Sequence, residues 1–183
     1  MNKVLCRIIC TICFCVSLLG CHIKNNKVLD EVTLFSKEVI TIPSILTQIK
    51  NYEASSILIQ EGKAKMVFWF DSTSCTTCNA KRLSYLDRLY ELSDNSGLFD
   101  VLLIMSPHVS EVEELLAVLC LYDLDHPICI DVNQQFIKCN PQMRDYPHCH
   151  FFLLDSFGHP QFVGNPVDSY QLWELFCTAM EAI

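Results

Sequence analysis

The chain has no basic patch: 13 lysines and arginines stand against 21 aspartates and glutamates, for a formal charge of −8. That balance excludes the electrostatic footprint of a nucleic-acid-binding surface. No internal repeat and no low-complexity segment interrupts the 183 residues, so repeat arrays are excluded as well. The longest apolar stretch, Ile8 to Leu19, is short of the roughly 20 residues that a bilayer span requires. From residue 22 onward there is a single C-x-x-C, Cys75-Thr76-Thr77-Cys78, with no second pair and no spaced histidines to complete an ordinary zinc site.

Cysteine itself is plentiful. Twelve are present, of which Cys6, Cys10, Cys13, Cys15 and Cys21 fall in the first 21 residues. The seven that remain are an odd number, spread over a chain long enough to build its own core, which argues against a small disulfide-stapled scaffold. Cys120 and Cys177 read as small core hydrophobes. Cys129 and Cys139 flank a turn near Asn133 and are candidates for a bridge, as is Cys149, with the pairing left open by sequence.

The first twenty residues carry Lys3 and Arg7, an apolar stretch, and Gly20 before Cys21. This is the pattern of a secretion leader. Leu18-Leu19-Gly20-Cys21 resembles the bacterial lipobox, in which the cysteine sulfur receives diacylglycerol and becomes the new N-terminus. Residues 1–20 are therefore expected to be a signal peptide, Cys21 the lipidation site, and 21–35 a lipidated N-terminus and tether. Loss of the leader removes Lys3 and Arg7 and no acidic residue, taking the formal charge from −8 to −10. The residues after Cys21 hold no early acidic pair resembling a surface-export signal. The expected location is thus the periplasm-facing side of the bacterial cell envelope, bound to the membrane through the lipid. About 160 residues then remain, enough for one domain with a real core.

Periodicity predicts a first strand over Glu38 to Ile42 and a fully buried strand over Lys65 to Phe70. From Cys75 to Leu92 the residues Leu83, Leu86, Leu89 and Leu92 recur at helical spacing. A strand over Phe99 to Met105, a helix from Val109 to Tyr122 and a short strand over Pro127 to Asp131 follow. Phe151 to Asp155 and Gln161 to Val163 frame a hairpin, and an amphipathic helix from Asp168 to Ala182, capped by Asp168 or Ser169, closes the chain. Alternating strands and helices of this kind imply an α/β fold, a central mixed β-sheet with helices on both faces.

A C-x-x-C at a helix N-terminus sets its first sulfur beside unpaired N–H groups and the positive end of the helix dipole, which favours the thiolate. Cys75 is then the attacking sulfur; Lys81 and Arg82 either add positive charge nearby or, as the commoner case, are simply solvated. Cys78, one turn along, resolves the mixed disulfide. Asp71 is a candidate proton relay for Cys78, or else a turn cap.

Phe68-Trp69-Phe70-Asp71-Ser72 before Cys75-Thr76-Thr77-Cys78, then Phe151-Phe152-Leu153-Leu154-Asp155 and Val163-Gly164-Asn165-Pro166, resemble the thioredoxin fold. More closely, the chain resembles the membrane-tethered thioredoxin-like lipoproteins of bacterial envelopes, including those of Bacteroidetes and related to the cytochrome-maturation thiol–disulfide group. The resemblance spans about 36–183, expected to be the thioredoxin-like domain. It implies an envelope oxidoreductase that exchanges disulfides with protein partners through the redox-active disulfide Cys75–Cys78, acting as a reductant and needing no other cofactor. It also implies a cis-proline before the strand at Phe151. That position falls near Cys149, with Pro147 two residues early, so either Pro147 serves with a longer loop or the cis-proline is lost. In the second case His148, Cys149 and His150 are either an ordinary loop before the strand or lie beside the pair, where Cys75, Cys78, Cys149 and His150 form an alternative ligand set for copper or zinc. The alternatives are therefore a thioredoxin-like metal carrier or sensor, and a non-catalytic envelope binding lipoprotein.

Overall fold

The computed structural model describes residues 27–50, 53–72, 83–122 and 126–183. An inner strand of its sheet is β3 (Ala64–Phe70), buried at every position. An apolar run without alternation is what a strand covered on both faces requires. β4 (Phe99–Met105) pairs with it in parallel, from Ala64 opposite Phe99 to Phe70 opposite Met105. On the other side β6 (Phe151–Leu154) is antiparallel to β3, and β7 (Pro160–Val163) is antiparallel to β6.

Beyond β4 lie β5 (Ile128–Ile130), which is parallel to it, and the hairpin of β1 (Ile45–Lys50) and β2 (Glu53–Leu58). The seven-stranded order is β2-β1-β5-β4-β3-β6-β7. One face is covered by α2 (Asp87–Ser96), α3 (Val112–Tyr122) and α5 (Tyr170–Glu181), through Leu89, Leu115, Leu119 and Phe176. On the other face α1 (27–35) contributes Phe35, α4 (Gln135–Cys139) contributes Phe136, and the turn Pro141–Asp145 contributes Met143. The expected mixed sheet with helices on both faces is present. α5 is capped by Ser169, whose Oγ accepts the Leu172 N–H at 3.2 Å. Among the described residues no helix is long and apolar enough to cross a membrane.

Three expectations change. Residues 38–42 form no strand, and the first strands are β1 and β2. The backbone of 38–42 finds its partners in side chains and a turn instead: Thr41 N–H donates to Asn140 Oδ1 at 2.7 Å, Asn140 Nδ2 donates to Thr41 O at 2.8 Å, and Ile40 N–H donates to Gly158 O at 2.9 Å. Gly158 has φ +89°, and a Cβ there would stand 2.6 Å from Ile40 O, so this close approach requires glycine.

The folded body also reaches upstream of residue 36. α1 occupies part of the segment read as a tether, and Phe35 is fully buried, edge-on to Tyr146 and Phe152.

The cysteines are the third change. Cys120 is exposed, because Leu115 and Leu119 define the inward stripe of α3 and the next residue turns about 100° away. Cys177 is only half-buried beside Phe176. Cys129 lies inside the sheet and Cys139 on an exposed helix end, and no disulfide joins them; Cys149 is unbridged too.

Candidate active site

β3 ends at Trp69 and Phe70, and Asp71 and Ser72 follow. The Cys75–Cys78 pair and the helix start expected there lie at 73–82, outside the described residues, as does Cys21. What the structure shows is the ground from which that segment departs.

Two bonds lock the end of β3 to the end of β4. Trp69 Nε1–H donates to Ser106 Oγ at 3.1 Å, and Ser106 N–H donates to Phe70 O at 2.8 Å. Gln134 then binds the same connection, its Nε2 donating to Ser106 O at 3.0 Å. The Asp131 carboxylate seats α4, accepting the N–H groups of Gln135 and Phe136, each at 2.8 Å. An acidic side chain satisfying the first N–H groups of a helix is a local signal, and Asp131 is legible as one. Gln134 is not, because its backbone lies in the left-handed region at φ 56°, which glutamine seldom adopts.

Opposite Trp69 comes the loop before β6. Trp69 N–H donates to His150 O at 2.9 Å, extending the antiparallel pairing by one residue, and the His150 ring rests on the Trp69 ring with centroids 4.8 Å apart. Burial lowers the His150 pKa below the usual histidine value, while the charges of Asp71 and Glu31 oppose that shift. The ring is thereby biased to its neutral form.

Between these segments is a cavity of about 340 Å³. β3 and its continuation supply Trp69, Asp71 and Ser72 to its lining, and α4 with its preceding residue supplies Ile137 and Gln134. Met143, Arg144, Pro147 and His150 complete the wall. Of the sequence-predicted site residues, Asp71, Pro147 and His150 are therefore brought together around one space. No cis peptide bond occurs among the described residues, so Pro147 lines the cavity in a trans loop.

His148 and Cys149 do not line the cavity; both face α1. Glu31 accepts the His148 backbone N–H at 2.7 Å and contacts His148 Nδ1 at 2.7 Å. Cys149 is fully buried and donates its thiol to Glu31 at 3.8 Å. Burial first, and then the Glu31 charge, push the Cys149 thiol from 9.0 up to about 12. Nearby, Tyr146 O–H donates to Glu38 at 2.7 Å, which with partial burial raises that phenol to about 12. Glu31 and Glu38 carry no sequence signal, because no local pattern marks a contact between residues more than a hundred positions apart; Arg144 carries none either, since only the fold brings it to the end of β3. Among the described residues no three His, Cys, Asp or Glu side chains come together in a way that could hold a metal ion.

No protein-family model matches the chain, and no curated protein matches it in sequence. Solved structures do match in shape. A chain from Chlorobium tepidum described as a thiol:disulfide interchange protein DsbE superposes with a TM-score of 0.50 at 12% identity, over 78% of this chain and 98% of that one. A chain from Aquifex aeolicus VF5 described as an electron transfer protein does so with a TM-score of 0.52 at 14% identity, over 78% and 95%. At such identities the likeness speaks for the fold alone: the chain adopts a thioredoxin-like α/β fold.

Proposed function

We propose that the chain is an envelope thiol–disulfide oxidoreductase that exchanges disulfides with protein partners through Cys75 and Cys78, acting as a reductant. Lipid on Cys21 would hold it to the membrane on the periplasm-facing side, with residues 1–20 removed as a signal peptide. The observation that carries the reading is the cavity at the carboxyl end of β3, on the strand that runs within five residues into the C-x-x-C. The thioredoxin-like fold, and the description of the Chlorobium tepidum chain as a thiol:disulfide interchange protein, support it.

The chemistry closes on the chain's own atoms. The Cys75 thiolate attacks one sulfur of a partner disulfide, forming a mixed disulfide and expelling the other partner sulfur as thiolate. Cys78 then attacks Cys75, releasing the second partner sulfur. Two electrons and two protons pass to the partner, and the chain is left with the Cys75–Cys78 disulfide. Asp71, which lines the cavity, is the candidate to take the proton from Cys78 as that thiol becomes the attacking thiolate.

Cys75→Ser tests the reading. It should abolish reduction of a disulfide-bearing protein such as insulin, and alkylation across a graded glutathione buffer should find Cys75 and Cys78 interconverting as one two-electron couple in the wild type. Unimpaired reduction by the variant, or stoichiometric copper or zinc retained on the purified protein, would displace the exchange reading.

A further inference from the structure

The loop from Pro147 to His150 faces two ways. Pro147 and His150 line the cavity, whereas His148 and Cys149 face α1. Strand alternation does not impose this division, because the segment is a turn closed by Cys149 N–H on Tyr146 O at 3.0 Å. A turn has no fixed pair of faces, and its side chains go where partners hold them.

The partner is a single carboxylate. Glu31 projects from α1 with its side chain only 13% exposed. One oxygen takes the His148 backbone N–H and the Cys149 thiol, and the other takes His148 Nδ1. Phe35, one helical turn further on, fixes α1 against Tyr146 and Phe152 with centroids 5.3 and 5.2 Å away. The carboxylate therefore arrives at a set place beside the loop.

We infer that Glu31 is a positioning residue of the exchange site, holding the loop in the register that presents Pro147 and His150 to the cavity and keeps the Cys149 thiol out of it. The inference rests on the exchange reading above and deepens it. A third thiol reaching the cavity would compete with Cys78: by attacking Cys75 in the mixed disulfide it would release the partner thiolate and leave a Cys75–Cys149 disulfide in place of the proper pair. Glu31 blocks that route by orientation, and burial together with the Glu31 charge keeps the thiol protonated, since only the thiolate is a nucleophile.

The test uses the full chain in detergent, reduced and treated with N-ethylmaleimide, each cysteine followed by mass spectrometry in wild type, Glu31→Ala and Glu31→Gln. Cys129 is 2% exposed in β5 and reports global opening in the same sample. In wild type both Cys149 and Cys129 stay unmodified. In Glu31→Ala, Cys149 should react about tenfold faster with Cys129 unchanged, the factor expected for local opening when a charge-assisted anchor is lost. The KM for a disulfide-bearing protein should also rise by a larger factor than kcat falls, a split that loss of stability alone does not produce. Unchanged Cys149 together with silent Cys129 in Glu31→Ala overturns the inference. Should both thiols rise in that variant, Glu31→Gln decides, because it keeps the side-chain volume and one accepting oxygen. Selective modification of Cys149 there supports the role, and modification of both or neither overturns it. Alkylation needs no turnover, so its outcome is independent of whether Cys75→Ser upholds the exchange reading.

Discussion

β3 has a cavity at each end, and the two are nearly equal: about 310 Å³ beside Lys65 at the amino end and about 340 Å³ beside Asp71 at the carboxyl end. At the amino end the charges are spent on the chain itself. Lys65, 7% exposed, donates to Gln60 O at 2.6 Å and Lys63 O at 2.8 Å, and Lys63 pairs with Asp100 at 2.6 Å. At the carboxyl end the polar side chains come from separate segments, and His150 rests on an indole ring, with the charges of Asp71 and Glu31 acting on it. Volume does not distinguish the two ends; the use to which their polar groups are put does. Burial lowers the pKa of Lys65 and of His150 alike. In the first case the ammonium is a structural clamp, in the second the ring borders a space that a partner can enter.

The comparison breaks most visibly at Trp69. Trp69→Ala removes the support of His150, the contact with Phe136 at 5.1 Å and the bond to Ser106. A loss of about 3–5 kcal/mol in stability is expected, from the cost of emptying an aromatic site in a core, together with loss of disulfide exchange. Urea unfolding with an insulin-reduction assay checks both. Retention of exchange in a folded variant would mean that the carboxyl-end cavity is not the site.

A smaller effect sharpens the contrast through pH. The folded pKa of His150 is lowered below its ordinary 6.5, so below that value the unfolded chain takes up the proton more readily. The contribution is thus fully present above pH 6.5 and is lost as pH falls through the window beneath it. The ring keeps part of its surface in water, which moderates the size. Thermal melts from pH 7.5 to 5 should show His150→Asn losing less stability on acidification than wild type; parallel curves would remove the burial argument.

The smallest effect is expected at the opposite end. Lys65→Met deprives two carbonyls of a donor but also ends the desolvation of a buried ammonium. The two terms oppose each other, so stability should move by about 1 kcal/mol or less, with exchange unchanged. A change in exchange without a change in melting temperature would show that the amino-end cavity communicates with the chemistry.

Much of the sheet is legible in the amino-acid sequence. β3 and β4 are mostly apolar runs, interrupted only by Lys65 and Asp100, and burial between two covered faces accommodates such runs as strands. The end of the chain is legible for a similar reason, since Ser169 begins an amphipathic period that α5 follows. The β1–β2 hairpin is not: Ile45–Lys50 and Glu53–Leu58 sit at the sheet's edge, where five of six positions in β2 are exposed and alternation is weak. Residues 38–42 mislead in the opposite direction. Their apolar pattern marks a segment that is packed, and Asn140 rather than a neighbouring strand takes up its backbone.

The sequence by itself determined the order of most strands and helices, the position of the C-x-x-C shortly after the buried strand β3, and the candidates Asp71, Pro147 and His150 around its exit. These follow from spacing and local chemistry, which a linear chain displays in full. Only the tertiary structure decided that His148 and Cys149 turn away from the cavity, that Cys120 faces solvent, and that Glu31, separated from His148 by 117 residues, holds the loop. Those outcomes depend on which distant groups meet once the hydrophobic faces close. A carboxylate on an amphipathic helix gives no sign of the turn it will bind until packing has brought the two together.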